Sequence, residues 1–122
     1  MPGYTQAYQQ TVLDWAHPVS ANGDYIGWSL NGSTETSLLA RTFVGATGWA
    51  AATAATPSVK ANNAILTSAA ATGAGTVGYF AVFNASTAGV QKTDWQALDN
   101  ARAIDVGTTL QAAVGALKVT LN

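Results

Sequence analysis

Charge is what this sequence has least of. Aspartate, glutamate, lysine and arginine make up 9% of its 122 residues, against about 25% in an ordinary soluble domain. Five Lys and Arg cannot form the basic stripe that nucleic acid requires, so no nucleic-acid partner is expected. Cysteine is absent, which excludes a disulfide framework, a thiolate nucleophile and a thiolate metal site. No apolar run reaches the roughly 18 residues of a membrane-spanning helix, so no membrane partner is expected either. The opening Met-Pro-Gly-Tyr-Thr lacks the basic and apolar regions of a secretory signal, which points to synthesis in a cytoplasm.

Alanine, threonine, glycine, serine and asparagine fill the gap. Small free monomers ordinarily carry more charge, because charge keeps them apart. A surface largely covered by partner subunits explains the shortage, since desolvating charge at a contact is costly. A chain of this length buries roughly 70% of its unfolded surface. One domain spanning 1–122 is expected, with a helix at 5–16 and a β-sandwich at 25–121.

The helix is read from Tyr4, Tyr8, Val12, Trp15 and Ala16, which recur at helical spacing with Gln6, Gln9, Gln10 and Asp14 off the stripe. His17 precedes Pro18, which disfavours helical geometry and ends the helix near Ala16. Short strands separated by turn residues follow. Tyr25 to Leu30 alternates, and Asn31-Gly-Ser33 turns the chain. Leu39 to Val44 is a second candidate, whereas 45–61 is mostly small residues around Trp49 and Pro57. Asn63 to Ser68 gives a short strand, and Thr76 to Phe83, dense in aromatic and β-branched residues, the best one. Further strands are expected around Trp95, over Arg102 to Val106, over Leu110 to Val114, and through Leu117, Val119 and Leu121. The fold class is therefore all-β: a compact antiparallel β-sandwich or barrel with one N-terminal α-helix.

Gly73-Ala-Gly75-Thr-Val-Gly78 matches the dinucleotide pattern G-x-G-x-x-G. That chemistry needs the loop to open a helix, and here an aromatic strand follows, so the glycines are read as a tight turn and no cofactor is expected. His17 is the one histidine and has no nucleophile to serve; an imidazolium at a helix C-terminus suits the helix dipole. Asp14, Asp24, Glu35, Asp94, Asp99 and Asp105 show no motif spacing, so no metal and no catalytic residue is assigned, although a fold can assemble a glycosidase pair from distant carboxylates. Asn31-Gly-Ser33 and Asn84-Ala-Ser86 fit the glycosylation pattern but read as turns. Trp28 and Trp95 read as core. Trp49, with little apolar company, is assigned to a contact surface, and the candidate interface is Tyr4, Tyr8, Trp15 and Trp49.

The stretch Thr72-Gly-Ala-Gly-Thr-Val-Gly-Tyr-Phe-Ala-Val-Phe-Asn-Ala-Ser-Thr-Ala-Gly89 resembles a signature of small all-β proteins of tailed phages, often described as tail fibre proteins. In that signature a small-residue loop and Gly-Thr-Val lead into an aromatic strand closed by Asp-Ala-x-Thr-Gly-Gly. Trp95-Gln-Ala-Leu98, Arg102, Gly107 and Ala112 to Leu121 are similar to the same family's ending. The likeness is good over 63–121 and looser before it. Asn84 stands where the family has Asp, Ala88 stands for the first of two glycines, and Thr108 replaces an Asp after Gly107. The resemblance implies a non-enzymatic structural protein of the virion and carries no catalytic residue.

Among virion roles, the expectation is a capsid decoration (cement) protein, bridging capsomers through contacts with the major capsid protein and with copies of itself, for example as a trimer. The alternative is a tail-tip or tail-fibre adaptor or receptor-binding module that contacts tail proteins or host surface glycan. A small glycan-active hydrolase is the distant alternative. Fold alone does not choose among them.

Overall fold

The computed structural model describes residues 5–16, 24–45, 49–54 and 58–121. Tyr4 and His17 therefore lie outside the described residues. One helix, α1 (Gln6–Ala16), precedes eight strands: β1 (Tyr25–Ser29), β2 (Thr42–Phe43), β3 (Ser58–Ala61), β4 (Leu66–Thr67), β5 (Gly75–Phe83), β6 (Gln96–Ile104), β7 (Gln111–Ala112) and β8 (Lys118–Leu121). The all-β reading with a single N-terminal helix holds among these residues. Thr5 caps α1, its hydroxyl accepting the Tyr8 amide at 3.3 Å.

A four-stranded sheet runs in the order β2-β1-β5-β6, and β3 pairs with β8 and β4 with β7. Every pairing is antiparallel. β1 is covered on both edges, which is why four of its five residues are buried. Its register sets Ile26 opposite Val82 and Trp28 opposite Phe80. These four side chains join Leu13 of α1, Leu66 of β4, Ala112 of β7 and Val119 of β8 in one apolar cluster. The helix, the sheet and both ribbons thus share a core, and its apolar burial is the main force holding them together.

Several local expectations need correction. The strands expected around Trp95 and over Arg102 to Val106 belong to one element, β6, which starts after Trp95. That element is interrupted. Val77 pairs with Arg102 while Tyr79 pairs with Ala97, so residues 98–101 stand opposite Gly78 alone. Four residues against one make a long, irregular bulge, which explains why the sequence read as two strands. The segments expected at Leu39 to Val44 and Asn63 to Ser68 contribute only the two-residue strands β2 and β4. The stretch 45–61, which looked uninformative, holds β3 and a fully buried Trp49. In the glycine pattern, Gly75 through Gly78 lie inside β5, and the chain continues as strand.

Candidate docking surface

Two faces of α1 are used in opposite ways. Leu13 and Gln9 are buried, and the polar side chains next to them attach the helix to the strands. Gln10 donates through Nε2 to the Ala52 carbonyl at 3.1 Å. The Asp14 carboxylate accepts from the Ala52 amide at 2.9 Å and from Lys60 Nζ at 2.6 Å. The Lys60 side chain is fully buried, whereas that of Asp14 is 42% exposed. Burial by itself would raise the Asp14 pKa, but the Lys60 hydrogen bond, the Ala52 amide and the lysine's charge together hold it below the ordinary 3.8.

The aromatic side of the helix faces outward. Trp15 is 81% exposed and Tyr8 53%. A shallow groove beside Trp15 continues over Ala16 to Val90, Gln91 and Lys92, in the loop between β5 and β6. Val90 is itself 61% exposed, so the groove extends the apolar surface from the helix onto that loop. Two of the expected interface residues, Tyr8 and Trp15, therefore lie on one accessible surface.

Trp49 does not belong to that surface, which corrects its assignment as a contact residue. Its indole is fully buried and donates to Asp24 Oδ2 at 2.9 Å. The small residues around it let residues 49–53 run against β3, with the Ala50 amide on Ala61 and the Thr53 amide on Val59. Its apolar company comes from distant parts of the chain, and no local window could show it. Asp24 is equally buried; it also accepts from Lys92 Nζ, which reaches the Ala16 carbonyl at 2.9 Å. This node ties the end of α1, the start of β1 and the β5–β6 loop together. Only the scarcity of charge hinted at it beforehand. Trp28 is in the core as expected, and Trp95 is half-buried against Phe83, ring centroids 5.8 Å apart.

Arg41 fixes the groove's loop from the other side. Its guanidinium takes both oxygens of Glu35, at 2.8 and 2.9 Å, and Nη1 donates to the Ala85 and Ala88 carbonyls. It lies 3.7 Å over the Phe83 ring. Six of the eleven charged side chains thus pair with one another. The other five, Asp94, Asp99, Arg102, Asp105 and Lys118, are exposed, and four of them sit on β6 or its flanks. A charged edge strand discourages pairing with another sheet edge. On the helix side, Asp14 and Lys92 are each paired within the molecule. Three of the six carboxylates are matched to cations. Among the described residues no cluster of three or more potential metal ligands occurs, and no helix is long and apolar enough to cross a membrane.

A sequence model of the family described as Podophage GP4 fiber I protein gp80 matches residues 11–120. The chain belongs to this family. It is a bacteriophage structural protein of the fibre type, and a virion component. No curated protein matches the chain. Set beside the signature noted in the sequence, the departures in this member of the gp80 family are turn chemistry. Asn84 Oδ1 accepts the Val90 amide at 2.8 Å, a role an aspartate carboxylate would fill equally. Thr108 Oγ1 accepts the Asp105 amide at 3.1 Å. Ala88 and Gly89 both have positive φ, 52° and 73°, where glycine is the unstrained choice.

Proposed function

We propose that this gp80-family protein is a docking subunit of the phage fibre apparatus, and that it attaches to its neighbour through the outward face of α1. The exposure of Trp15 on a helix whose opposite face is locked by Asp14, Gln10 and Lys60 carries the reading. Large aromatic side chains are the usual anchors of protein interfaces. Here the charged groups nearest to them, Asp14 and Lys92, are each already paired within the molecule. The neighbour is another virion protein, and the action is mechanical attachment. A Tyr8→Ala, Trp15→Ala double variant tests it: the β-fold is expected to persist while incorporation into particles falls. Normal incorporation of the folded variant would refute the reading, and unfolding would show the stripe to be core.

A second reading, capsid decoration through contacts with the major capsid protein and with further copies of the same chain, is supported by the sequence pattern. In 122 residues there is no heptad array or repeat that could form a shaft, while about 800 Å² per partner is enough for specific attachment to a shell. Copy number in purified particles separates the two. A handful of copies per particle supports the fibre reading, and hundreds support decoration.

A further inference from the structure

Asn-Gly dipeptides occur at Asn22-Gly23, outside the described residues, and at Asn31-Gly32 in the loop after β1. Such pairs are prone to deamidation, because no Cβ shields the glycine nitrogen from the asparagine side chain. The Gly32 nitrogen would bond to Asn31 Cγ, the Cγ–Nδ2 bond would break and ammonia would leave. Water then opens the resulting succinimide to aspartate or isoaspartate. The turn nevertheless demands both residues. Gly32 has a φ of 76°, and a Cβ there would lie 3.0 Å from the Tyr79 ring. Asn31 Oδ1 accepts the Ser33 amide at 2.8 Å and the Thr34 amide at 3.0 Å, the local contacts that a short polar side chain makes in turns. Asn31 is exposed, so burial does not protect it. Hydrogen bonds do. The Ser29 side chain is fully buried at the end of β1. Its Oγ accepts the Gly32 amide at 2.9 Å and the Asn31 amide at 3.3 Å, and donates to the Thr34 carbonyl at 2.6 Å. Asn31 Nδ2, the leaving group, donates to Thr34 Oγ1 at 3.3 Å. Glu35, the carboxylate of the same loop, has both oxygens on Arg41 and is not free to take the Gly32 proton.

We propose that Asn31 is a latent deamidation site held closed by Ser29, whose hydroxyl keeps the Gly32 N–H engaged. Attack requires the Gly32 nitrogen to lose its proton, and the hydrogen bond to Ser29 Oγ stabilises the protonated amide. Attack also requires Asn31 Cγ to swing towards that nitrogen, which breaks the contacts of Oδ1 with Ser33 and Thr34. The reaction therefore waits for the turn to open, and its rate is scaled down by the open population. The closing contact of the loop, the Thr36 amide on the Trp28 carbonyl at 2.9 Å, opposes that opening. Isoaspartate would add a methylene to the main chain and displace Ser33 and Thr34 from the positions they hold. A virion component is not replaced after assembly, so the lifetime of this amide sets how long the loop keeps its shape. The inference is independent of the docking reading, because the loop shares no residue with the helix face.

Ageing of the purified full chain in mildly alkaline buffer tests it. Mass spectrometry follows Asn31 site by site, with Asn84 and Asn100 as internal references, and a synthetic peptide of residues 28–36 gives the unstructured rate. Asn31 in the folded chain is expected to deamidate about tenfold or more slowly than in the peptide, and the Gly32 amide to exchange its hydrogen slowly. Ser29→Ala is expected to speed Asn31 about tenfold and to free the Gly32 amide, with Asn84 and Asn100 unchanged. Thr34→Val, at an exposed position, removes only the leaving-group contact and is expected to speed Asn31 less. The inference is overturned if Asn31 or the Gly32 amide of the parent reacts at the peptide's rate. It is equally overturned if folded Ser29→Ala leaves Asn31 as slow as before, or if Thr34→Val speeds it as much. Should Ser29→Ala speed all three asparagines, the variant has unfolded, and the parent's two rates together with Thr34→Val decide. Freshly made, folded Ser29→Ala should enter particles normally, so failure of this inference and failure of the docking reading are told apart.

Discussion

Ala88 holds a φ of 52°, a left-handed conformation that costs a residue with a Cβ roughly 1–2 kcal/mol. Replacing it by glycine removes that strain but adds freedom to the unfolded chain, so Ala88→Gly is expected to stabilise by about 0.5–1 kcal/mol, read as a higher urea midpoint with unchanged slope. Asn62 presents the opposite case. Its buried amide makes three hydrogen bonds, to Ala64, Ala113 and Leu117. Asn62→Ala leaves two carbonyls and one amide without that partner, and is expected to destabilise by about 2–4 kcal/mol in the same measurement. Neither position was legible beforehand. The sequence showed Ala88 as a departure from a family pattern, and the backbone angle explains why glycine is the pattern. Asn62 looked like one of many small polar residues, because its partners lie up to 55 positions away.

At the scale of elements, α1 is attached by polar contacts in addition to Leu13 in the core. Lys60 is buried and Asp14 is its anion, so Asp14→Asn strands an ammonium group. The expected loss is about 1–2 kcal/mol at neutral pH, below the roughly 3–5 kcal/mol of a fully buried pair, because water reaches the 42% exposed carboxylate. The pH dependence has a definite sign. The Asp14 pKa is depressed on folding, so its contribution is complete above the ordinary 3.8 and is lost as pH falls through the lower folded value. The stability gap between the parent and Asp14→Asn is expected to stay constant at higher pH and to close on acidification through that window. A gap that persists in acid would show that the lysine contact is not the cause. Helical spacing revealed where α1 lies, and hydrophobicity placed its aromatic stripe. The inward face was hidden, because Gln9, Gln10 and Asp14 are ordinarily surface residues; here Gln9 is buried, and Gln10 and Asp14 are tied to Ala52 and Lys60.

For the molecule as a whole, the all-β class was readable because β1 and β5 carry the strong patterns, and they are the sheet's central strands. The short strands β2, β4 and β7 exist through pairing, with two residues each and no pattern of their own. Family membership was readable from the stretch through β5 and its turn. The accessible surface on α1 was half readable: Tyr8 and Trp15 were identified, but Trp49 was placed outside when it is a core residue.

Matching six charges in three pairs within the molecule leaves a skin with little long-range repulsion. Molecules kept separate from their natural neighbours should then cohere through short-range apolar contact, which simple salt does not screen. Self-association of the purified chain, followed by analytical ultracentrifugation, is expected to be indifferent to sodium chloride, to strengthen in ammonium sulfate, and to drop in Trp15→Ala. A subunit made this way is quiet when seated and adhesive when alone.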